Sequence, residues 1–260
     1  MAKVPISVVI ITKNEEINLP SCLESLKGWA DEIVIVDDES NDGTLSIAAQ
    51  YTDRIFTRKM DIEGKHRNWA YAQAKNEWVL SFDADERTTE ELKNEIDEIL
   101  SSDHGKQAFT IPRRNYVGDY WVKHGGQYPS AQLRLFLKDK FKYEEAEVHP
   151  RAFLDGEVGH LSSDMIHKSY RNFEHFLAKL NGQTTLEARK WFRTGREVSM
   201  KKALWRTFDR FPRQYFRKKG HKDGFVGFMF AFFASLYQIM SYAKYWELKQ
   251  QAKANKEDNE

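Results

Sequence analysis

Two carboxylates one residue apart, Asp83 and Asp85, close the uncharged, β-prone run Trp78-Val79-Leu80-Ser81-Phe82. Such a run reads as a buried strand of a parallel sheet. In an open α/β sheet, ligands bind beyond the carboxyl ends of the strands, so the pair is expected at the mouth of a crevice. Neighbouring carboxylates repel one another, and a divalent cation that takes oxygen ligands relieves the repulsion. The other reading is a solvated turn ahead of the next helix. Thr88 or Thr89 could cap the helix expected over Glu90 to Leu100 without either aspartate, which leaves the pair unexplained by capping. The pattern D-x-D is short and common, so this stretch alone leaves both readings open.

The elements upstream repeat the arrangement. Ser7-Val8-Val9-Ile10-Ile11-Thr12 has the β-branched composition of a central parallel strand and runs into Lys13-Asn14-Glu15-Glu16, with a helix to about Lys27. Glu32-Ile33-Val34-Ile35-Val36 runs into Asp37-Asp38-Glu39-Ser40-Asn41-Asp42-Gly43-Thr44, with a helix to about Tyr51. Arg54-Ile55-Phe56-Thr57 is a weaker third strand, and Lys65 to Ala74 a helix whose first turn carries Lys65, Arg67 and Asn68. Parallel strands joined by right-handed crossovers share direction, so these loops fall on one sheet edge. Thr12, Asn14, Glu15, Asp37 and Asp38 should therefore converge on Asp83 and Asp85. Each loop has an ordinary structural explanation as a turn, a cap or a solvated helix face. Together, acidic loops at three strand ends with basic residues nearby suit a metal-neutralised diphosphate beside a sugar or base. Neither G-x-G-x-x-G after the first strand nor G-x-x-x-x-G-K-[ST] occurs, which weakens dinucleotide and P-loop readings.

The 260 residues suffice for a large α/β domain, alone or with an appendage. The balance of 40 basic against 39 acidic residues gives no global case for nucleic acid. Cys22 is the only cysteine, which excludes an intramolecular disulfide framework and a cysteine-rich zinc site and points to a reducing compartment. Met1 to Pro5 passes into a strand without the apolar core of a signal peptide, so a cytoplasmic location is expected.

From Gln107 the alternation changes. Residues Ala108 to Tyr116 and Ala131 to Leu137 read as strands, the first an edge or bulged strand because of Pro112. The loop between them carries Tyr120, Trp121, His124, Gly125 and Gly126, which suits either sugar-stacking aromatics or core aromatics. The acidic run Glu144-Glu145-Ala146-Glu147-Val148-His149-Pro150 follows. Displacement at a sugar carbon by a hydroxyl needs a base opposite the leaving group, and a carboxylate from such a loop could supply it.

The motifs Val8 to Glu15, Val36-Asp37-Asp38-Glu39-Ser40 with Asp42-Gly43-Thr44, Lys65 with Arg67-Asn68, and Phe82-Asp83-Ala84-Asp85 resemble, in order and spacing, the nucleotide-sugar half of family 2 glycosyltransferases. Arg134-Leu135-Phe136, the acidic loop ending Val148-His149, and His167-Lys168-Ser169-Tyr170 extend the resemblance to lipopolysaccharide core glucosyltransferases of that family. The resemblance implies a GT-A fold: an α/β, Rossmann-like, mixed but mostly parallel sheet with flanking helices. It implies contact of Thr12, Glu15 and Asp38 with a nucleobase, usually uracil, and places Asp83 on the ribose or sugar. Asn14, Lys65, Arg67, Asn68 and Arg134 complete the nucleotide-sugar set, the basic residues near the phosphates. Asp85 would hold Mn²⁺ or Mg²⁺, with His149 preferred to His167 as a further ligand. Glu145 is expected as the base, with Glu144 and Glu147 as rivals. Pro150 stands where the family usually has an acid, so no role is carried over to that position.

The implied activity is inverting, metal-dependent transfer of a sugar, glucose being one candidate, from a UDP-sugar to a lipid-linked saccharide of the lipopolysaccharide inner core. The alternatives are transfer to a polyprenyl phosphate, whose oxygen is already ionised, and a non-catalytic membrane-associated nucleotide-sugar-binding scaffold.

The C-terminal third reads differently. Asn172 to about Arg193 is expected as a helix with Phe173, Phe176, Leu177 and Leu180 on one face. Lys201 to Lys222 interleaves nine Lys and Arg with Leu204, Trp205, Phe208, Phe211, Tyr215 and Phe216, a basic amphipathic helix kinked at Pro212 and suited to an anionic membrane surface. Residues 224–243 carry no charge but include Ser235, Gln238 and Ser241, so they read as a helix at the membrane interface or in a contact between copies ahead of a full span. The expected partition is a nucleotide-sugar half (1–104), an acceptor half (105–170), a helical membrane-associating region (171–250) and a disordered tail (251–260). A peripheral position on the cytoplasmic face of the inner membrane follows, with self-association through the C-terminal helices allowed and nucleic acid not expected.

Overall fold

The computed structural model describes residues 4–102, 105–145 and 151–257. Strand and helix alternate first: β1 (Val4–Thr12), α1 (Leu19–Leu26), β2 (Ala30–Asp37), α2 (Thr44–Ala48), β3 (Ile55–Thr57), α3 (Glu63–Ala72) and β4 (Trp78–Asp83). A two-residue strand β5 (Glu86–Arg87) and α4 (Glu90–Leu100) follow. Next come β6 (Ala108–Ile111), β7 (Arg113–Val117), β8 (Tyr120–Trp121), β9 (Gln132–Leu137), β10 (Phe141–Tyr143), β11 (Ala152–Leu154), β12 (Val158–His160) and β13 (Met165–Tyr170). The chain ends in α5 (Phe173–Arg193), α6 (Met200–Pro212) and α7 (Gly224–Glu257).

Two compact units result: Met1–Arg114 with Ser130–His167, and Asn115–Pro129 with Lys168–Glu260. The expected partition at 104 and 170 differs, because residues 115–129 group with the C-terminal helices. The first unit holds a seven-stranded sheet in the order β12-β6-β9-β4-β1-β2-β3. Strand β1 lies parallel to β2 and β4, and β9 alone runs antiparallel to its neighbours β4 and β6. Both faces are covered, which is why β1 is apolar at consecutive positions. Val8 and Ile10 pack with Leu19, Leu23, Leu92 and Ile96 on the α1/α4 side, while Val9 packs with Val34, Ala70, Tyr71 and Phe136 on the α3 side. Cys22 is fully buried in α1, as a small apolar residue.

Pro112 does more than bulge a strand. It divides the expected run into β6, which stays in the large sheet, and β7; lacking an N–H, it offers only its carbonyl, which accepts from Met165. In the second unit β7 and β8 pair at Tyr116 and Trp121, and α5 turns Phe176, Leu180, Thr184, Ala188 and Trp191 inward at helical spacing. The expected kinked helix over 201–222 resolves into α6, a π-helical turn (Arg213–Arg217) after Pro212, and a 3₁₀ turn (Gly220–Asp223).

Helix α7 contains an 18-residue window of mean hydropathy 1.5, long and apolar enough to cross a membrane by composition, of which 33 % is buried. It continues through Glu257, well past the expected start of the tail at 251. Lys244 bonds to Asn181, Thr184 and Thr185, and Tyr245 packs on Trp191, so the helix is anchored where its charged half begins. The Lys, Gln, Glu and Ala that follow propagate a helix readily.

Candidate active site

The first loop is held from both sides. Asp38 N–H donates to the Thr12 carbonyl (2.8 Å), and Thr12 Oγ1 donates to Asp37 Oδ1 (3.1 Å), locking the carboxyl ends of β1 and β2 together. Lys13 Nζ reaches Asp38 Oδ2 at 2.8 Å, and Met60 N–H donates to Asp38 Oδ1 at 2.7 Å. Burial pushes the Asp38 carboxyl up, but the Lys13 ammonium and the Met60 N–H outweigh it and hold Asp38 below the usual carboxylate range. Asn14 adopts a positive φ of 55° and exchanges bonds with the Ser40 hydroxyl and the Asn41 N–H, which fixes one loop against the next. Its side chain is exposed and serves the loop.

Beneath these loops lies a cavity of about 220 Å³ whose walls include Thr12, Glu15, Asp38, Glu63, Arg67 and Asp83. Five of the expected nucleotide-sugar residues thus meet. Lys65 does not join them; it is exposed and pairs with Asp61 at 3.4 Å. Asn68 instead clamps the backbone of Tyr143, giving its Nδ2–H to the carbonyl (2.9 Å) and accepting the N–H (2.8 Å), and so fixes the strand that leads into Glu144 and Glu145. A larger cavity of about 580 Å³, lined by Glu32, Arg54 and Lys75 among others, lies at the amino ends of β2 and β3. Glu32 there already accepts from Ser7, Arg54 and Lys75, and that edge is opposite the one where α/β sheets bind ligands.

Asp83 and Arg134 belong to a charge network centred on Glu86, a residue the sequence reading did not single out. Glu86 is fully buried. Its Oε2 accepts the Asp83 N–H at 2.9 Å, and its Oε1 accepts from Arg134 Nη2 at 2.7 Å and from Arg113 Nη1 at 3.3 Å. The same Arg134 Nη2 bonds Asp83 Oδ2, and Arg67 Nη1 stands 3.9 Å from Asp83 Oδ1. Burial works against ionisation of Asp83, yet Arg134 and Arg67 hold it well below the ordinary carboxylate range. Burial pushes Glu86 the other way, upward, with the arginines only partly opposing, while the three N–H donors on its two oxygens are the partners of an ionised carboxylate. Arg67, despite its own burial, is held firmly protonated by the Asp83 carboxylate. The signal for Glu86 was present in the sequence: an acid directly after D-x-D, ahead of the helix cap. Thr89 is that cap, accepting from Leu92 N–H at 3.1 Å, so neither aspartate is needed for it.

Asp85 is placed by the short strand after it. Strand β5 pairs antiparallel with β13, setting His167 opposite Glu86, and His167 Nε2 lies 3.4 Å from Asp85 Oδ2. Arg87 fastens the turn to α1 through the Asn18 carbonyl and the Ser21 hydroxyl. One carboxylate oxygen and one imidazole nitrogen, side by side and each partly accessible, suit Mn²⁺ or Mg²⁺ that takes its remaining ligands from phosphate oxygens and water. Among the described residues no group of three or more His, Cys, Asp or Glu forms a complete protein cage. His149, the expected ligand, and Glu147 lie outside the described residues.

Glu145 is exposed and lines a third cavity, of about 420 Å³, with Asn68, Tyr71, Lys138 and Phe141. Glu144 is engaged by Arg151 at 2.7 Å, which lowers its affinity for a proton.

The sequence model of glycosyl transferase family 2 matches residues 7–154, more than half of the chain, and the chain belongs to that family. The mixed, mostly parallel sheet is the α/β architecture expected of it. Over 252 residues the chain is 29 % identical to the lipopolysaccharide core biosynthesis glycosyltransferase LpsC of Rhizobium meliloti (strain 1021), covering 94 % of this chain and 93 % of that protein. It is 25 % identical over 259 residues to the uncharacterized glycosyltransferase RT0209 of Rickettsia typhi, covering 94 % and 87 %. Among solved structures, S. aureus TarS 1-349 aligns with 98 % of this chain and 92 % of its own at 16 % identity and a TM-score of 0.46.

Proposed function

We propose that the chain transfers a sugar, with glucose the first candidate, from a UDP-sugar to a hydroxyl of a lipid-linked saccharide of the lipopolysaccharide inner core, inverting the transferred carbon at the cytoplasmic membrane face. The observation that carries this reading is the cavity where Thr12, Glu15, Asp38, Arg67 and Asp83 meet, at the edge that also bears Asp85 and His167. The acceptor class is taken from the name of LpsC.

Asp38, oriented by Lys13 and Met60 and kept ionised, would accept from the N–H edge of a uracil, with Thr12 and Glu15 framing the base. Asp83, fixed as a carboxylate by Arg134, would accept from ribose or sugar hydroxyls. Arg67 would set a fixed positive charge beside the diphosphate. Asp85 and His167 would hold Mn²⁺ or Mg²⁺, which when bound stabilises the negative charge gathering on the departing diphosphate. Glu145 would take the proton of the acceptor hydroxyl as it attacks, a role for which Glu144 is the poorer choice because Arg151 already neutralises it.

A second reading, transfer to a polyprenyl phosphate, is favoured by one observation. Glu145 lines a cavity whose walls include neither Asp83 nor Asp85, and an ionised phosphate oxygen attacks without a base. A panel of UDP-sugars with purified protein, with and without Mn²⁺ or Mg²⁺, tests the proposal through UDP release. One donor should dominate, and only with metal. Release that ignores metal would sink the proposed role of Asp85, and no release from any donor would leave a binding scaffold.

A further inference from the structure

Helix α6 is folded inside out for a helix in water. Its inward face is Ala203, Arg206, Thr207 and Arg210, spaced i, i+3, i+4 and i+7. Ala203 is buried, Arg206 Nη1 donates to Gln238 Oε1 of α7 at 2.9 Å, and Arg210 lies over the Tyr237 ring at 5.9 Å. The outward face carries the large apolar side chains: Met200, Leu204, Trp205 and Phe208 are 55, 38, 66 and 76 % exposed. Phe216 after the π-helical turn and Phe225 at the start of α7 add further exposed rings. Scattered exposed apolar residues need no explanation, but four large ones on the outward side of a helix that turns Arg206 and Arg210 toward its neighbour do.

We propose that this outward face docks onto an anionic lipid bilayer, which the chain meets from one side without crossing it. Charge identifies the occupant. Lys201, Lys202, Arg213, Arg217, Lys218, Lys219 and Lys222, interleaved in sequence with these apolar residues, are all exposed. The only acids between 200 and 225 are Asp209, paired with Arg213 at 3.0 Å, and Asp223, buried and bonded to His124. A second copy would bring the same positive charge to the same patch, whereas anionic headgroups complement it and hydrocarbon accepts the rings. Packing identifies the depth. Helix α7 lies against α5 and α6, so a spanning α7 would draw Arg206, Arg210, Glu187 and Arg189 toward hydrocarbon with it. Lodged at the interface, α7 keeps Ser235, Gln238 and Ser241 buried within its own unit.

Such docking would bring a lipid-linked acceptor to the enzyme and rests on that reading for its purpose, while the binding itself requires neither donor nor acceptor. The test is co-sedimentation of the full chain with vesicles of phosphatidylcholine, alone or mixed with phosphatidylglycerol. Binding should favour the mixed vesicles and weaken with salt. Trp205→Ser with Phe208→Ser should weaken it about a hundredfold, since removing one large buried side chain is worth about tenfold. Lys201→Glu with Lys202→Glu, at a helix start that tolerates acids, should weaken the lipid preference. All four side chains are exposed, so the variants should fold and release UDP as the wild type does. Equal binding by Trp205→Ser/Phe208→Ser, or equal binding to both vesicle types, would overturn the proposal. So would a dimer in sedimentation velocity that this variant dissolves while the wild type ignores vesicles. UDP release without vesicle binding would refute the docking and spare the transferase reading, and vesicle binding without UDP release would do the reverse.

Discussion

Arg134→Met is the perturbation that most directly tests the charge network. The strand β9 carries Arg134 between β4 and β6, and its side chain is buried, only 7 % exposed. Methionine fills a similar volume but removes the donor to two carboxylates. Glu86, fully buried, would keep only the Asp83 N–H at 2.9 Å and Arg113 at the long distance of 3.3 Å. Asp83, about a third exposed, would keep water and Arg67 at 3.9 Å. The loss therefore falls on Glu86. Removing one member of a buried ion pair costs about 3–5 kcal/mol, and the surviving Arg113 contact places this case near about 3 kcal/mol. At about 2–4 °C per kcal/mol for a chain of this size, the melting temperature should fall by about 6–12 °C. Urea and thermal unfolding of wild type, Arg134→Met, Glu86→Gln and the double variant form the assay. The double variant should recover most of the loss, because glutamine still accepts the Asp83 N–H and leaves no unpaired charge. Arg134→Lys should fall between, since an ammonium lacks the planar fork. A loss under about 1 kcal/mol for Arg134→Met, or a double variant as unstable as the single one, would refute the view that Glu86 is ionised and held by Arg134.

Three further outcomes are expected. Glu145→Gln should lower turnover by about 10²–10⁴-fold with UDP binding retained; an unimpaired variant would move the reading to an ionised acceptor. His167→Ala should raise the Mn²⁺ concentration for half-maximal activity by at least about tenfold while His149→Ala leaves it unchanged, and the reverse ranking would restore His149 as the ligand. Because the folded protein holds Asp38 below the ordinary value near 3.9, its carboxylate stabilises the fold above about pH 4 and that contribution is lost as pH falls through the folded value. Urea midpoints of wild type and Asp38→Asn should therefore converge in acid, and parallel curves from pH 3 to 7 would show that Asp38 gains nothing from Lys13 and Met60.

What the sequence revealed follows from how each signal is written. Strands β1, β2 and β4 are apolar because both sheet faces are covered, and their polar ends mark one edge, so Thr12, Glu15, Asp38 and Asp83 could be placed together before any coordinates. Asn14 and Asn68 show the limit of that inference: they lie near the site in sequence, but one braces a loop and the other clamps the Tyr143 backbone. Spacing locates a loop and says nothing of which side chain in it faces the ligand. Strand β5 is only two residues long and has no periodicity to detect, yet its pairing with β13 is what brings His167 to Asp85 and encloses Glu86. Long-range register of that kind is invisible in a local pattern.

Helix α6 carries the same lesson in another form. Its amphipathic spacing and its fit to a membrane surface were plain in the sequence, but which of its basic residues turn inward was not. Which face is buried depends on what the neighbouring helix offers. Helix α7 presents Gln238 and Tyr237 toward α6, partners for Arg206 and Arg210, while Ala203 allows close approach of the two helices. An apolar α7 face at those positions would favour the opposite rotation, burying Trp205 and Phe208. Gln238, one of the polar residues that interrupt the apolar stretch of α7, is therefore also one of the residues that keep the aromatic face of α6 outward.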